Sequence, residues 1–226
     1  MGPRGPDVLT PSSAFAAFRH QLRRRGLLLS AALCAIVFLA LAIEAAEPEV
    51  FGIDYTVRTL AQAGRSPSLE RPMRWISDLG SGTVMIPLNL ALLGFFLLRG
   101  HGWALWVPIL SAGSILVESL GKWLVHRPRP KGTHYGFPSG HVTGSVVFFG
   151  ALIYVLWTAD LPRRWRWIGS SFAVVAILGI AYSRIYLNAH WLSDVLGGFT
   201  GGAAYLGFGI SWIERRASPS NPVASS

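Results

Sequence analysis

Six apolar stretches, each long enough or nearly long enough to cross a bilayer, constrain the fold of this chain more than any other feature. A hydrocarbon core of about 30 Å requires a helix of roughly 20 apolar residues. The stretches run over residues 26–43, 76–98, 103–121, 140–158, 167–182 and 191–213. Because a segment in lipid must satisfy its own backbone hydrogen bonds, the sequence predicts an all-α fold, a bundle of six transmembrane helices.

Composition and charge agree with a membrane protein. Of the 226 residues, 51% are hydrophobic and only 14% are charged, which is unlike an ordinary soluble domain. The net charge of +9 could indicate nucleic acid binding, but most arginines stand at the ends of apolar stretches rather than on one polar domain. Anionic lipid and phosphate are therefore the expected partners, together with the bilayer, and nucleic acid is not.

The ends of the apolar stretches give the expected domain boundaries. We predict a cytoplasmic N-terminal tail over residues 1–25, a six-helix membrane domain over residues 26–214 and a flexible C-terminal tail over residues 215–226. The first stretch lacks a following cleavage site, so we expect it to remain as an anchor rather than to be removed as a signal peptide.

The segment between the first two predicted spans has a helical pattern of its own. Val50, Ile53, Val57 and Leu60 recur at helical spacing among acidic and basic residues. This pattern predicts an interfacial helix, and we hypothesise that it borders the path by which lipid reaches the bundle.

Three polar clusters interrupt the apolar pattern with residue types that handle phosphate. Lysine and arginine supply fixed positive charge for phosphate oxygens. Two histidines can divide nucleophilic attack from proton donation. The clusters are Lys122 with Arg129 and Pro130, then Pro138-Ser139-Gly140-His141, then Ser183-Arg184 followed by His190 and Asp194.

The order of the spans predicts that these clusters meet. The first two clusters occupy the connection between the third and fourth spans, and the last occupies the connection between the fifth and sixth. Two crossings separate the connections, so both lie on the same face of the membrane. Clusters far apart in sequence can therefore converge at one mouth of the bundle.

The clusters resemble the signatures of the type 2 phosphatidic acid phosphatase family, which also includes the vanadium haloperoxidases. Those signatures are Lys-x6-Arg-Pro, Pro-Ser-Gly-His and Ser-Arg-x5-His-x3-Asp, and all three occur here in order, without a substitution, over residues 122–194. The flanking apolar segments fit the membrane-bound bacterial lipid phosphatase branch. The resemblance implies a metal-independent lipid phosphatase without a cofactor, acting on phosphatidic acid, phosphatidylglycerol phosphate or a polyprenyl diphosphate such as undecaprenyl diphosphate.

The same resemblance implies a role for each signature residue. His190 would be the nucleophile that forms a phosphohistidine, Asp194 would orient it, and His141 would be the general acid. The positions that match the family's phosphate clamp are those of Lys122, Arg129 and Arg184.

Local patterns add further expectations about these residues. Ser139 is a plausible N-cap of the fourth span, and Gly140 allows close approach of the backbone, which would leave free amides for a phosphate. His190 and Asp194 are four residues apart, which predicts that they share one face of a helix. Glu118 lies one turn before Lys122 and could pair with it, either to position the clamp or as a purely structural pair.

The remaining polar residues near the signatures receive plainer interpretations. Arg127 and Lys131 are expected to extend their charged ends to lipid headgroups. His126 and His134 are interpreted as loop residues. A zinc or magnesium site is disfavoured, because the histidines alternate with cations that would repel a metal ion and no paired carboxylate lies among the signatures outside Asp194.

The positive-inside rule gives the expected orientation. The tails would be cytoplasmic and the site would face outward, in the plasma membrane if the source is bacterial. Two other functions remain open, a lipid phosphotransferase that uses the same intermediate and a non-catalytic protein that binds lipid phosphate. The arginines expected on the cytoplasmic side are Arg19, Arg23, Arg24, Arg25, Arg99, Arg163, Arg164, Arg166, Arg215 and Arg216.

Overall fold

The structure, a computed structural model, describes residues 11–47, 49–100, 102–132 and 135–217, and these residues are helical apart from short connections. An isolated antiparallel bridge joins Pro128 to Tyr135. The all-α prediction is confirmed. The helices are α1 (Pro11–Ala45), α2 (Gly52–Ala63), α3 (Pro67–Asp78), α4 (Gly82–Leu98), a short 3-10 helix (Gly102–Ala104), α5 (Trp106–Val125), α6 (Gly140–Thr158), α7 (Arg163–Tyr186) and α8 (Leu192–Ala217).

The α6 helix lies at the centre of the bundle. It packs against α5, α7 and α8, while α1 runs along the other side of α8. The main hydrophobic cluster joins Val142 and Phe148 of α6 to Ile177 and Ile180 of α7, all of them buried. Because α6 contacts helices on several sides, its first turn is fixed relative to α5, α7 and α8.

The outer surface of the bundle is apolar, as expected for an integral membrane protein. Leu29, Leu98 and Phe172 are among the many large hydrophobic side chains that are exposed. Four helical stretches are long and apolar enough to span a membrane: Leu22–Ala45, Pro67–Leu98, Gly140–Thr158 and Arg163–Tyr186. Helices α5 and α8 cover the third and sixth predicted spans, so the count of six spans stays a prediction.

Helix α1 crosses the predicted boundary between the N-terminal tail and the membrane domain. It begins at Pro11 and continues without interruption to Ala45, so the part of residues 1–25 that is described is helical. At the other end, α8 continues to Ala217. Residues 1–10 and 218–226, which include most of the predicted flexible C-terminal tail, lie outside the described residues.

The interfacial helix predicted between the first two spans corresponds to α2. Its apolar residues differ in environment, because Val57 packs against the core whereas Ile53 and Leu60 are exposed. The helix is held on the connection between α7 and α8 by Arg58, whose Nε donates to Asn188 Oδ1 at 2.7 Å. The sequence did not predict the separate amphipathic helix α3, which begins with a proline in its first turn.

Glycines of α8 let it approach α6 closely. A Cβ atom built on Gly198 would lie 2.7 Å from the backbone oxygen of Ser139, and one built on Gly202 would lie 3.0 Å from that of Thr143. Both distances are shorter than ordinary carbon–oxygen contacts, so side chains at these positions would separate the two helices. This close approach sets the distance between the second and third polar clusters.

Gly198→Ala is expected to destabilise the protein by about 1–3 kcal/mol, because its methyl group would meet backbone rather than a flexible side chain. Gly94→Ala in α4 is the matched control, since nothing lies within 4 Å of the added methyl group, and helix propensity predicts a neutral or stabilising effect. Thermal unfolding of both variants in detergent measures the difference. Equal Tm values for the two variants would contradict this account of the α6–α8 contact.

Candidate active site

The three polar clusters meet at one end of the bundle, as the order of the spans predicted. Lys122 lies in the last turn of α5, His141 in the first turn of α6 and Arg184 in the last turn of α7. The charges of Arg184, Arg129 and Lys122 act on the imidazole of His141, which also interacts electrostatically with His190. All three candidate cations therefore lie near His141, and Arg129 and Arg184 also act on His190.

His190 and Asp194 form a buried pair, but not on one helix as predicted. The Nδ1 atom of His190 lies 3.3 Å from Asp194 Oδ2, and α8 begins only at Leu192. Asp194 Oδ2 also accepts the backbone N–H of Trp191 at 3.0 Å. The carboxylate therefore caps the start of α8, in the manner of the acidic residue of a capping box, and leaves His190 in the turn before the helix.

Burial determines the protonation of His190, which is only 3% exposed. Loss of solvent lowers the pKa of His190 from its ordinary value, Asp194 opposes this effect, and the charges of Arg184 and Arg129 reinforce it. The ring is therefore neutral near pH 7. With Asp194 accepting from Nδ1–H, the other ring nitrogen keeps a free lone pair.

Ser139 is the N-cap residue of α6, as predicted, but its hydroxyl makes no capping hydrogen bond. Its backbone N–H instead donates to the backbone oxygen of Asp194 at 2.9 Å, which joins the start of α6 to the start of α8. Its Oγ atom is buried without a hydrogen-bond partner in the described part of the chain. The first-turn amides of α6, including those of Gly140 and His141, have no intrahelical acceptor, and such groups bind anions.

Each candidate phosphate-binding cation is anchored by one contact. Arg184 Nη1 donates to Ser77 Oγ at 2.6 Å, and Arg129 Nε donates to the backbone oxygen of Tyr135 at 3.2 Å. The predicted ion pair between Lys122 and Glu118 is present. The Nε atom of Arg184 is buried and has no partner among the described residues, which is the state of a donor that a bound anion could satisfy.

The prediction for Arg127 is wrong. This residue does not extend to lipid headgroups but is 4% exposed. Its Nη2 donates to Asp54 Oδ2 at 2.8 Å, and its Nη1 lies 3.5 Å from Asp194 Oδ1. The sequence could not reveal this partner, because Asp54 comes from α2, more than seventy positions earlier. The available signal was an acidic residue three positions before Val57, on the same face of the predicted helix as this partly buried residue.

The other polar residues near the signatures are peripheral. Lys131 is exposed, and His126 ends α5 with its ring against that of Tyr135, the ring centres being 4.7 Å apart. His134 lies outside the described residues. Within the described ranges, no group of three or more His, Cys, Asp or Glu side chains is arranged to hold a metal ion.

An apolar cavity of about 500 Å³ leads to His141 from the side of the bundle. Its lining comes from α4, α5, the start of α6 and the turn before α4, and Glu118 and His141 are the titratable residues in this lining. The interfacial helix α2 packs against α7 and α8 and does not contribute to this lining, and the hypothesis that it borders the lipid path stays a prediction.

Comparison with known proteins adds the family and the fold. A family model described as the PAP2 superfamily matches residues 102–218. Phosphatidylglycerophosphatase B of Bacillus subtilis is 28% identical over 177 residues, 73% of this chain and 85% of the relative. An undecaprenyl-diphosphatase of Sulfolobus acidocaldarius is 26% identical over 184 residues, 76% of this chain and 82% of the relative.

A solved structure has the same fold. The crystal structure of the first transmembrane PAP2 type phosphatidylglycerolphosphate phosphatase from Bacillus subtilis superposes with a TM-score of 0.75 at 22% identity. The superposition covers 85% of this chain and 99% of that one.

The lowered pKa of His190 predicts a pH-dependent stability. Below its ordinary pKa of 6.5, the unfolded chain binds more protons at this residue than the folded protein does. The contribution of neutral His190 to the free energy of unfolding is therefore complete above that pH. It is lost as the pH falls through the lowered pKa of His190. His190→Gln should remove this loss, so its Tm should rise relative to wild type between about pH 7 and about pH 5. A difference in Tm between wild type and His190→Gln that stays constant over that pH range would contradict the lowered pKa of His190.

Proposed function

The chain belongs to the PAP2 superfamily, and from this premise we propose that it is an integral membrane lipid phosphatase. It removes phosphate from a phosphomonoester or diphosphate headgroup through a phosphohistidine intermediate. The observation that carries the proposal is a buried, neutral His190 that Asp194 holds by one ring nitrogen, within electrostatic reach of Arg129, Arg184 and His141.

In the first step, the free ring nitrogen of His190 attacks phosphorus. The bond between phosphorus and the leaving oxygen breaks, and His141 donates a proton to that oxygen. The positive charges of Lys122, Arg129 and Arg184 stabilise the phosphoryl oxygens as charge spreads over them. The first-turn amides of α6, which follow Ser139 and Gly140, provide further donors to the same group.

In the second step, water replaces the histidine. His141, deprotonated by the first step, accepts a proton from water as it attacks the phosphohistidine. The nitrogen–phosphorus bond breaks, inorganic phosphate leaves and His190 returns to its neutral form. Because arginine and lysine supply the positive charge, the proposed reaction requires no metal ion.

The proposed substrates are lipids whose tails stay in the bilayer. The names of two relatives point to phosphatidylglycerol phosphate and undecaprenyl diphosphate, and phosphatidic acid shares the same headgroup chemistry. The apolar cavity between α4 and α5 lies beside His141 and suits an acyl or prenyl chain. This placement lets the headgroup reach the cations while the tail remains in an apolar environment.

The proposed topology has six spans, formed by α1 and α4 to α8. The arginines in the first half of α1, at the start of α7 and at the end of α8 support cytoplasmic tails by the positive-inside rule. The histidines then face outward, in the plasma membrane of a bacterium.

Two rival functions would leave different products. A phosphotransferase would release little free phosphate without an alcohol acceptor, whereas the proposed phosphatase releases it in water alone. A non-catalytic binding protein would leave the lipid intact, and the pairing of His190 with Asp194 serves no purpose in such a protein. Phosphate release from purified protein on a panel of lipid phosphates and diphosphates, with EDTA present, separates these functions and tests metal independence.

His190→Ala should abolish turnover, and His141→Ala should reduce it by about 10²–10⁴-fold, the usual contribution of a general acid. Both variants should still insert and fold, because neither side chain contributes to the main hydrophobic cluster. Phosphate release, with circular dichroism as the folding control, measures both effects. Turnover at the wild-type rate by either purified variant would refute the assigned roles.

Arg184→Lys should lower activity on the order of 10- to 100-fold, which corresponds to one charge-assisted hydrogen bond of about 1.5–3 kcal/mol. Lysine keeps the charge but loses the paired donors that match a phosphate. Arg163→Lys, an exposed position at the other end of α7, is the matched control and should retain full activity. Equal activities of the two variants would show that Arg184 acts only as a point charge.

A further inference from the structure

Two buried charged residues outside the assigned site lie behind the proposed nucleophile. Arg127 faces the carboxylate of Asp194, and Asp54 pairs with Arg127. We propose that Asp54 and Arg127 are positioning residues of the reaction, which fix the orientation of Asp194 and thereby the orientation and the electrostatic environment of His190. This inference rests on the proposed phosphatase function and assigns a role to α2 in that reaction.

Asp54 is fully buried on α2, and its carboxylate is nevertheless satisfied by hydrogen bonds. Oδ1 accepts the backbone N–H of Ser193 at 2.8 Å, and Oδ2 accepts the hydroxyl of Ser193 at 2.6 Å and Nη2 of Arg127 at 2.8 Å. A buried carboxylate is tolerated only with such partners. The contacts fix α2 to the first turn of α8, the turn that carries Asp194.

Arg127 connects Asp54 to the catalytic pair. Its guanidinium lies over the rings of Phe51 and Trp191, at 5.4 Å and 5.8 Å from the ring centres. Nη1 hydrogen-bonds to Ser193 Oγ and lies 3.5 Å from Asp194 Oδ1. The guanidinium is therefore held between two carboxylates in a setting that excludes water.

The two oxygens of Asp194 consequently face different partners. Oδ2 faces His190 Nδ1 and the N–H of Trp191. Oδ1 is buried, has no hydrogen-bond partner in the described ranges and faces Arg127. Arg127 therefore occupies the side of Oδ1 and leaves Oδ2 to His190, the residue that gains positive character during attack. If Asp54 were absent, Arg127 would be free to move onto Asp194 and compete with His190.

The charged groups around His190 come from every neighbouring element. Asp54→Asn removes one negative charge from the groups around His190, and Arg127→Gln removes one positive charge. Asp54→Asn disfavours protonated His190, and Arg127→Gln favours it. The groups are Asp194 on α8, Arg184 on α7, His141 on α6, Arg127 and Arg129 in the connection before α6, and Asp54 and Arg58 on α2.

The test is the pH profile of kcat and of kcat/KM for phosphate release from phosphatidic acid in detergent micelles. Asp54→Asn should move the acidic limb to lower pH and Arg127→Gln should move it to higher pH. Each shift should be on the order of one pH unit, the effect of a unit charge at roughly 10 Å and an effective dielectric constant of about 20. Both should lower kcat by about 10-fold or more with KM nearly unchanged, because the nucleophile is misplaced while the phosphate clamp is intact.

Further variants separate charge from packing. The double variant Asp54→Asn with Arg127→Gln restores the net charge, so its acidic limb should return toward the wild-type position while kcat stays low. Arg127→Lys should keep the limb in place and recover part of kcat. Ser193→Ala, a milder change in the same network, should lower kcat several-fold without moving the limb.

A second ion pair, in which only the carboxylate is buried, supplies the control. Arg23 pairs with Glu214, which is 5% exposed and lies twenty residues beyond Asp194 on α8, about 30 Å along the helix axis. Glu214→Gln should lower Tm and leave the pH profile unchanged.

Each outcome either supports or overturns the positioning role of Asp54 and Arg127. Acidic limbs that stay in place, or that move in the same direction for both single variants, overturn the positioning role. If neither single variant folds, wild-type kcat in both Arg127→Lys and Ser193→Ala overturns it as well. Wild-type protein that releases no phosphate from any lipid phosphate instead overturns the proposed function, so the two failures are distinguishable.

Discussion

The fully buried carboxylate of Asp194 is the interaction on which the rest of the site depends. It caps the start of α8 through the N–H of Trp191, contacts the ring of His190 and faces Arg127. Its backbone oxygen accepts the N–H of Ser139, which ties α8 to the start of α6. One residue therefore positions the proposed nucleophile, the helix that begins two residues after it and the start of the neighbouring helix. A change at this position alters geometry and charge together.

The bundle has an apolar outer surface and gathers its candidate phosphate-binding charges at one end. Helix starts of α6 and α8 and helix ends of α5 and α7 meet at one end, where cations can remain hydrated until a headgroup enters. Close packing through Gly198 keeps α6 and α8 near enough for Ser139 and Asp194 to bond directly. The apolar cavity beside His141 then separates the tail of a substrate from the charged groups that would act on its headgroup.

Local patterns predicted the helices and the clustering of the signatures, because both depend on residue spacing and on the parity of the spans. Long-range contacts were not predictable in this way. The ion pair between Asp54 of α2 and Arg127 connects α2 to the candidate site. No spacing in the sequence predicts this contact. The prediction that His190 and Asp194 share a helix was wrong for a local reason, since Asp194 caps α8 and leaves His190 in the preceding turn. The parts of the site that the sequence did not predict are therefore contacts between buried polar residues, which hydrophobic periodicity does not reveal.

The most direct test of the account is rapid acid-free quenching of the reaction, followed by mass spectrometry of the peptides that contain the two histidines. A diphosphate or monophosphate lipid with isotopically labelled phosphate would serve as substrate. The account predicts a transient, acid-labile phosphoryl group on His190 that appears and decays at rates consistent with turnover and is absent in Asp194→Ala. A phosphoryl group on His141 or another residue, or turnover without any phosphorylated peptide, would contradict it.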